Sequence, residues 1–480
     1  MSSAIKDNKQ SGDPKLERAI CRKLDFTILP VLAIVYLFNG LDKSNISNAK
    51  TDTIMEDLNI SGNQWNLLLS IFYIPFVLCA FPLSFVVKKF NPARMIPIFM
   101  FGFGSITALL ATTALYKTNG FVSLLIGRLF LGAFESAILP SIIFYLSRWY
   151  RRAELATRVA IFYSAAALAN AFSGLLAYGL FQVESPVLHG WQLLFLVESA
   201  GTLIFSVVAF LVLPRSIEQT SIFTEEEREY AKYRIETDSK SVTADKAPFK
   251  ESLKVFKHPV YWIWLLVEVC IGVPLNSINN WFPQIVQNLG HPTTAQTNLY
   301  TVGPNVWGAV ALIFFAIGSD YFKIRSLFVC AAVISTLIGF VVYGCVDTLN
   351  HIPVAYFACF LMTTGASASS VLTSSWYTNN TPSESRKLAM ASIGIPLANA
   401  AGLISTNIFR AKDAPKYVPA LGITAGFGGL AVVLILSLYT FMVFDNRRRN
   451  RLQGVDLTFE DVPTADLADG PHNPNFRWMY

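Results

Sequence analysis

Charge is scarce in this chain: Asp, Glu, Lys and Arg make up only 15% of its 480 residues. A soluble globular protein of this size carries far more, so a water-exposed surface around one or more ordinary cores is excluded. Metal-ligand spacing is missing too. The six cysteines, at positions 21, 79, 270, 330, 345 and 359, form no CxxC or Cys/His pattern and read as small apolar packing residues. No Walker motif, DFG set, HExxH or GxSxG stands in a usable context, which argues against ATP drive, metal or cofactor chemistry and covalent catalysis. A membrane enzyme is disfavoured further because no His/Asp or Cys/His cluster lies at a membrane-facing loop. The net charge of +6 comes from residues scattered over loop ends, with no basic groove or recognition motif, so no nucleic-acid partner is expected. The opening MSSAIKDNKQSGDPKLER has no cleavable signal pattern, so the first helix is expected to be both signal and anchor.

Apolar residues are abundant, at 53% of the chain with 37 Phe. Stretches long enough to cross a bilayer centre near 26–46, 65–87, 95–116, 121–149, 156–181, 191–213, 260–288, 299–318, 326–346, 352–377, 388–409 and 419–443. The expected fold is therefore an all-α membrane protein of twelve transmembrane helices in two bundles of six. Residues 1–25 precede the first bundle (26–213), a polar linker (214–258) separates it from the second (259–443), and 444–480 form a tail. In the linker, Thr224 is placed to cap a surface helix over EEEREYAKYR, here expected to be a solvated connector. The polar, acidic, Pro-containing tail after 452 is expected to be disordered. Short loops on one side carry Lys88, Lys89, Arg94, Arg148, Arg151, Arg152, Arg158, Lys323, Arg325, Arg386 and Lys387, against Lys50, Lys117, Arg410, Lys412 and Lys416 on the other. The positive-inside rule places the first group, and both termini, in the cytoplasm.

Charges inside the spans carry the functional signal, because each costs about 2.5 to 3.5 kcal/mol to insert. The fourth span, FVSLLIGRLFLGAFESAILPSIIFYLSRWY, contains Arg128 and Glu135, seven residues apart and so on one helical face. The first span contains Asp42 and Lys43. Two helices each bringing an acid and a base to membrane depth suit a carrier in which a proton and an organic anion bind together. Asp42 and Glu135 are the candidate proton-coupling groups, because burial favours the protonated acid and a nearby base the ionised one. Lys43 and Arg128 are the candidate anion-binding bases, and internal ion pairing that merely joins helices is the alternative. Asn45, Asn276, Asn279, Asn280, Trp281, Asn305 and Asn399 are candidate cavity residues; for each, hydrogen bonding between helices competes with a substrate role. Glu198 and Glu268 are further acids within spans, the first read as structural and the second left open.

LDKSNISNAK (41–50), GRLFLGAFESAILPSIIFYLSRWY (127–150), HGWQLLFLVES (189–199), WFPQIVQNLGHPTTAQTNLYTVGP (281–304) and NNTPSESRKLAMASIGIPLANAAG (379–402) resemble the fungal allantoate permease branch of the anion:cation symporter family, within the major facilitator superfamily. The resemblance spans both halves. It implies a proton-coupled symporter, a multi-pass protein acting as a monomer in a fungal plasma membrane, or alternatively in an internal membrane such as the ER or vacuole. Its cargo would be a small vitamin-like or nitrogenous carboxylate such as nicotinate, allantoate, pantothenate or biotin. It also implies gating roles for Asp320 and Arg325 in GSDYFKIR (318–325), a fuller copy of the superfamily loop motif than PLSFVVKKFNPARM (82–95). A non-transporting nutrient sensor on the same fold is the rival expectation.

Overall fold

The computed structural model describes residues 14–480 apart from 116–119, 151, 184, 241–252, 291–292, 349, 382–383, 460, 463–466 and 468–469. The fold is helical. The N-terminal bundle contains α1 (Pro14–Ala49), the one-turn α2 (Ile54–Asp57), α3 (Gly62–Phe90), α4 (Pro92–Ala111), α5 (Gly120–Ser136), α6 (Ile138–Leu146), α7 (Arg152–Leu180) and α8 (Gly190–Val212). The linker helix α9 (Glu225–Lys240) leads to the C-terminal bundle, α10 (Pro259–Gln287), α11 (Thr294–Phe322), α12 (Arg325–Cys345), α13 (Ile352–Asn379), α14 (Glu384–Ile408) and α15 (Val418–Gln453). The fourth expected span is two helices, α5 and α6, separated at Ala137. Counting that pair as one crossing, the helices accommodate the twelve expected spans.

Apolar side chains face out as well as in, since lipid tails are as apolar as leucine. On α5, Leu129 and Phe130 are exposed, whereas Leu124, Arg128, Leu131, Gly132 and Glu135 are buried. Helix caps set several boundaries: Ser61 and Gln64 form a reciprocal box at the start of α3, and Thr293 caps α11. Prolines stand inside α1, α3, α4, α10, α11 and α14, and at Pro304 the freed Tyr300 carbonyl accepts from the Tyr356 hydroxyl of α13 (3.1 Å).

Within the first bundle α1 packs on α7 and α8, and α3 on α5; in the second, α10 packs on α14 and α12 on α13 and α15. The bundles meet along α7 with α11, α3 with α14 and α1 with α10. Hydrogen bonds between them gather toward the end bearing the α1–α3 connection. Asn66 donates to the Phe409 carbonyl (3.0 Å), Ser70 pairs with Thr406 (2.8 Å), Gln284 donates to the Ser47 carbonyl (2.7 Å) and Asn298 to the Thr51 hydroxyl (3.0 Å).

Two expectations outside the spans are corrected. The linker helix forms with Thr224 and Glu227 as a capping box, but it is docked rather than free. Lys23 of α1 binds both Glu227 oxygens (2.8 and 2.7 Å), and Arg234 is buried, donating to the Trp149 carbonyl (3.1 Å). Burial pushes the Glu227 carboxyl up, but Lys23 and the Thr224 N–H outweigh it and hold it below the usual carboxylate value. The tail is ordered where it returns to the second bundle. Phe476, Arg477 and Trp478 are buried, and Trp478 exchanges two backbone hydrogen bonds with the Asn446 side chain (both 2.8 Å). Its low hydrophobicity had pointed to disorder; three large side chains at one place supply the burial that average composition conceals.

Candidate functional site

The four charged residues singled out in the first and fourth spans come together. Gly132 makes this possible: a Cβ there would lie 2.2 Å from the Phe72 carbonyl oxygen, so only glycine lets α5 approach the α3 backbone this closely. The approach sets the Phe72 ring 4.6 Å from the Arg128 guanidinium. One turn further along α3, the Phe76 ring lies 4.6 Å from the Lys43 ammonium. Both cations rest on aromatic faces.

Lys43 Nζ is 3.8 Å from Glu135 Oε2, which also accepts from Asn39 Nδ2 (3.1 Å). The Thr107 hydroxyl donates to Asp42 Oδ1 (2.5 Å). Asp42 and Glu135 are close enough to act on each other directly. Asp42, Asn45 and Arg128 line a narrow cavity with Ile46, Thr107, Leu110, Leu131 and Phe195. Several polar atoms at this place have no hydrogen-bond partner among the described residues: Asp42 Oδ2, Asn45 Oδ1 and Nδ2, Arg128 Nε and Glu135 Oε1. Arg128 is 4% exposed and has no carboxylate at ion-pair distance among the described residues. Glu135 and Asp42 act on the buried Arg128 guanidinium from beyond ion-pair distance, and its planar fork of donors matches a carboxylate. The arrangement can receive an anion.

The C-terminal candidates divide. Asn276 and Asn280 meet at Tyr73: the Tyr73 hydroxyl donates to Asn276 Oδ1 (3.0 Å) and accepts from Asn280 Nδ2 (2.8 Å). Asn276 Nδ2 is also held by the Gly272 and Ala398 carbonyls (2.8 and 3.0 Å), so its polar atoms are already engaged. Asn279 and Asn305 line a separate narrow cavity with Asn170, Gly308, Thr363 and Ser367. Asn170 donates to Asn279 Oδ1 at 3.4 Å, and Asn305 bonds back to the Thr301 carbonyl (3.0 Å). Asn399 donates to Ile395 O of its own helix (2.9 Å). Trp281 is not among the residues lining either cavity; it stacks on Phe409 (4.8 Å, 10°) beneath Lys50. Asp320 and Arg325 form a pair at 2.8 Å at the α11–α12 turn, with Arg325 also bonded to Ser375. Glu198 is buried with both oxygens unpartnered among the described residues, and Glu268 accepts from Ser374 (3.3 Å).

The sequence reading missed Phe72, Tyr73, Phe76, Asn39 and Thr107. The first three lie in a run of apolar residues, FYIPFV, where nothing separates a cavity wall from lipid-facing bulk. The polar pair offered a signal: Asn39 and Thr107 fall inside spans, where a polar side chain needs a partner.

Two six-helix bundles around a polar centre at mid-membrane are the architecture of a secondary transporter. Residues 32–406 match the family model described as Major Facilitator Superfamily, and the chain belongs to that superfamily. An uncharacterized transporter of Schizosaccharomyces pombe is 56% identical over 467 residues, covering 97% of this chain and 91% of that protein. The high-affinity nicotinic acid transporter of Saccharomyces cerevisiae is 28% identical, covering 99% of this chain and 87% of its own. Among solved structures, the inward-open xylose transporter XylE of E. coli superposes with a TM-score of 0.70 at 14% identity, covering 86% of this chain and 96% of that one. The chain is a multi-pass membrane transporter.

Proposed function

We propose that this transporter carries a small organic anion together with a proton, and that Arg128, Lys43, Asp42 and Glu135 are its working centre. The observation that carries the reading is Arg128, buried at the cavity wall with its Nε unbonded and no carboxylate within ion-pair distance among the described residues. A carboxylate entering the cavity takes the guanidinium through two parallel N–H bonds and draws the Lys43 ammonium away from Glu135. Glu135 then loses its countercharge in a low-dielectric site and takes up a proton. Anion and proton binding thereby favour each other, as a symporter requires. The similarity to a nicotinic acid transporter and the resemblance to the allantoate permease branch support a nitrogenous or vitamin-like carboxylate. The same reading assigns the cytoplasmic face to both termini, a gating role to Asp320 and Arg325, and the plasma membrane as location.

The test is competition between matched acid and amide, nicotinate against nicotinamide, with allantoate, pantothenate and biotin run in parallel. The acid should compete at least about tenfold better than the neutral analogue, the value of one well-formed charged contact. Arg128→Ala should abolish uptake. Equal competition by acid and amide across the series would refute the anion site.

A further inference from the structure

Lys50 follows α1 and lies at the junction of the bundles, where no role was assigned to it. Its Nζ sits 3.7 Å from the Trp281 ring centroid on α10 and 5.6 Å from that of Trp65 on α3. No carboxylate is within ion-pair distance of it among the described residues. The nearby acids are engaged elsewhere. Asp52 accepts from the Trp191 backbone N–H (2.8 Å), Asp57 accepts from the Trp191 indole (2.7 Å), and Asp347 pairs with Lys416 (3.6 Å). Trp65 and Trp281 are 0% and 1% exposed, and neither indole N–H finds an acceptor among the described residues. Buried indole N–H groups ordinarily do. One ammonium and two N–H donors, drawn from both bundles, thus meet without an acceptor.

We infer that Lys50, Trp65 and Trp281 form a second, outer carboxylate site that receives the anionic cargo before it reaches Arg128. This rests on the organic-anion reading above. Its place on the path supports it. Lys50 follows Asp42 by eight residues of α1, about 12 Å toward the helix end. Trp281 follows Asn280, which bonds Tyr73, and the preceding residue of α3, Phe72, lies against Arg128. When the bundles part here, Lys50 is uncovered at the mouth of that route. Burial alone pushes its amine down to about 7 in the joined state, and a carboxylate beside it is what restores the charged form.

The experiment uses the full-length protein in proteoliposomes, with uptake of labelled nicotinate, allantoate, pantothenate and biotin measured separately from the face bearing residues 50–61 and from the opposite face. For every acid the wild type carries, Lys50→Gln should raise KM from the 50–61 face about tenfold. From the opposite face KM should change less than about twofold, and Lys50→Arg should restore the first value. Trp281→Phe, which keeps the ring and loses the donor, should raise KM on the same face only. An unchanged KM in Lys50→Gln, or an equal rise on both faces, overturns the outer site while leaving the Arg128 centre standing. A wild type that carries none of the acids, or carries amides equally well, overturns both.

Discussion

At the scale of single residues, the account turns on which polar atoms are engaged and which are not. Arg128 and Asn45 present unpartnered atoms to a cavity, whereas Asn276 has none to spare. Asn276→Ala should therefore act on stability and conformational balance rather than on affinity. Tyr73→Phe separates the same alternatives: it removes two hydrogen bonds, each worth about 1 kcal/mol, from the contact joining α3 to α10. The expected result is a lower Tm and easier labelling, from the 50–61 side, of a cysteine introduced at the cavity residue Leu110, with acid-over-amide preference intact. Lys43→Ala should weaken anions more than their amides, because Arg128 remains to bind the carboxylate but loses a second cation. Matched competition assays on both variants measure these outcomes.

At the scale of elements, the α3–α5 contact and the docked tail carry the testable content. Gly132→Ala places a methyl group against the Phe72 carbonyl, a backbone atom that cannot swing aside, so α5 must move and Arg128 with it. Uptake should fall at least as far as with a conservative change in the cavity wall, and Phe72→Ala, which opens space without moving the backbone, should be milder. In the tail, Trp478 is held by Asp445, Asn446 and the ring of Trp264. Trp478→Ala should cost about 3 to 5 kcal/mol of local stability and speed backbone exchange over 471–480. The tail is also acid-sensitive. His258 packs on Trp478 and His472, and burial, then the neighbouring His472, lower its value from 6.5. A group depressed on docking binds its proton more readily when released, so docking is fully stable above pH 6.5 and weakens as pH falls through the lowered value. Proteolysis of the tail as a function of pH checks this, and His258→Gln should flatten the profile. The meeting of Asp42, Lys43, Arg128 and Glu135 was legible in the sequence because charge inside a span needs a partner, whether another helix or a cargo. The tail was not, because its burial depends on Trp264, Trp376 and Asn446, which are distant in the chain. The same holds for Trp281, a wall residue by sequence and a junction residue in space.

At the scale of the whole molecule, twelve spans and a 6 + 6 division followed from apolar length; the break at Ala137 within the fourth crossing was not read, although Pro140, three residues on, lacks the N–H that would bond the Ser136 carbonyl. Hydrogen bonds gather between the bundles at the 50–61 end and hold them together there. The central claim is that anion binding and proton binding are linked through Glu135. The most direct measurement is accumulation of a labelled acid in proteoliposomes under an imposed pH gradient, compared with exchange of the same acid at equal pH, for the wild type and Glu135→Gln. The account predicts that the wild type does both, while the variant, fixed in a form that mimics the protonated acid, keeps exchange and loses accumulation. Accumulation at the wild-type level with an unchanged pH profile in Glu135→Gln would contradict it.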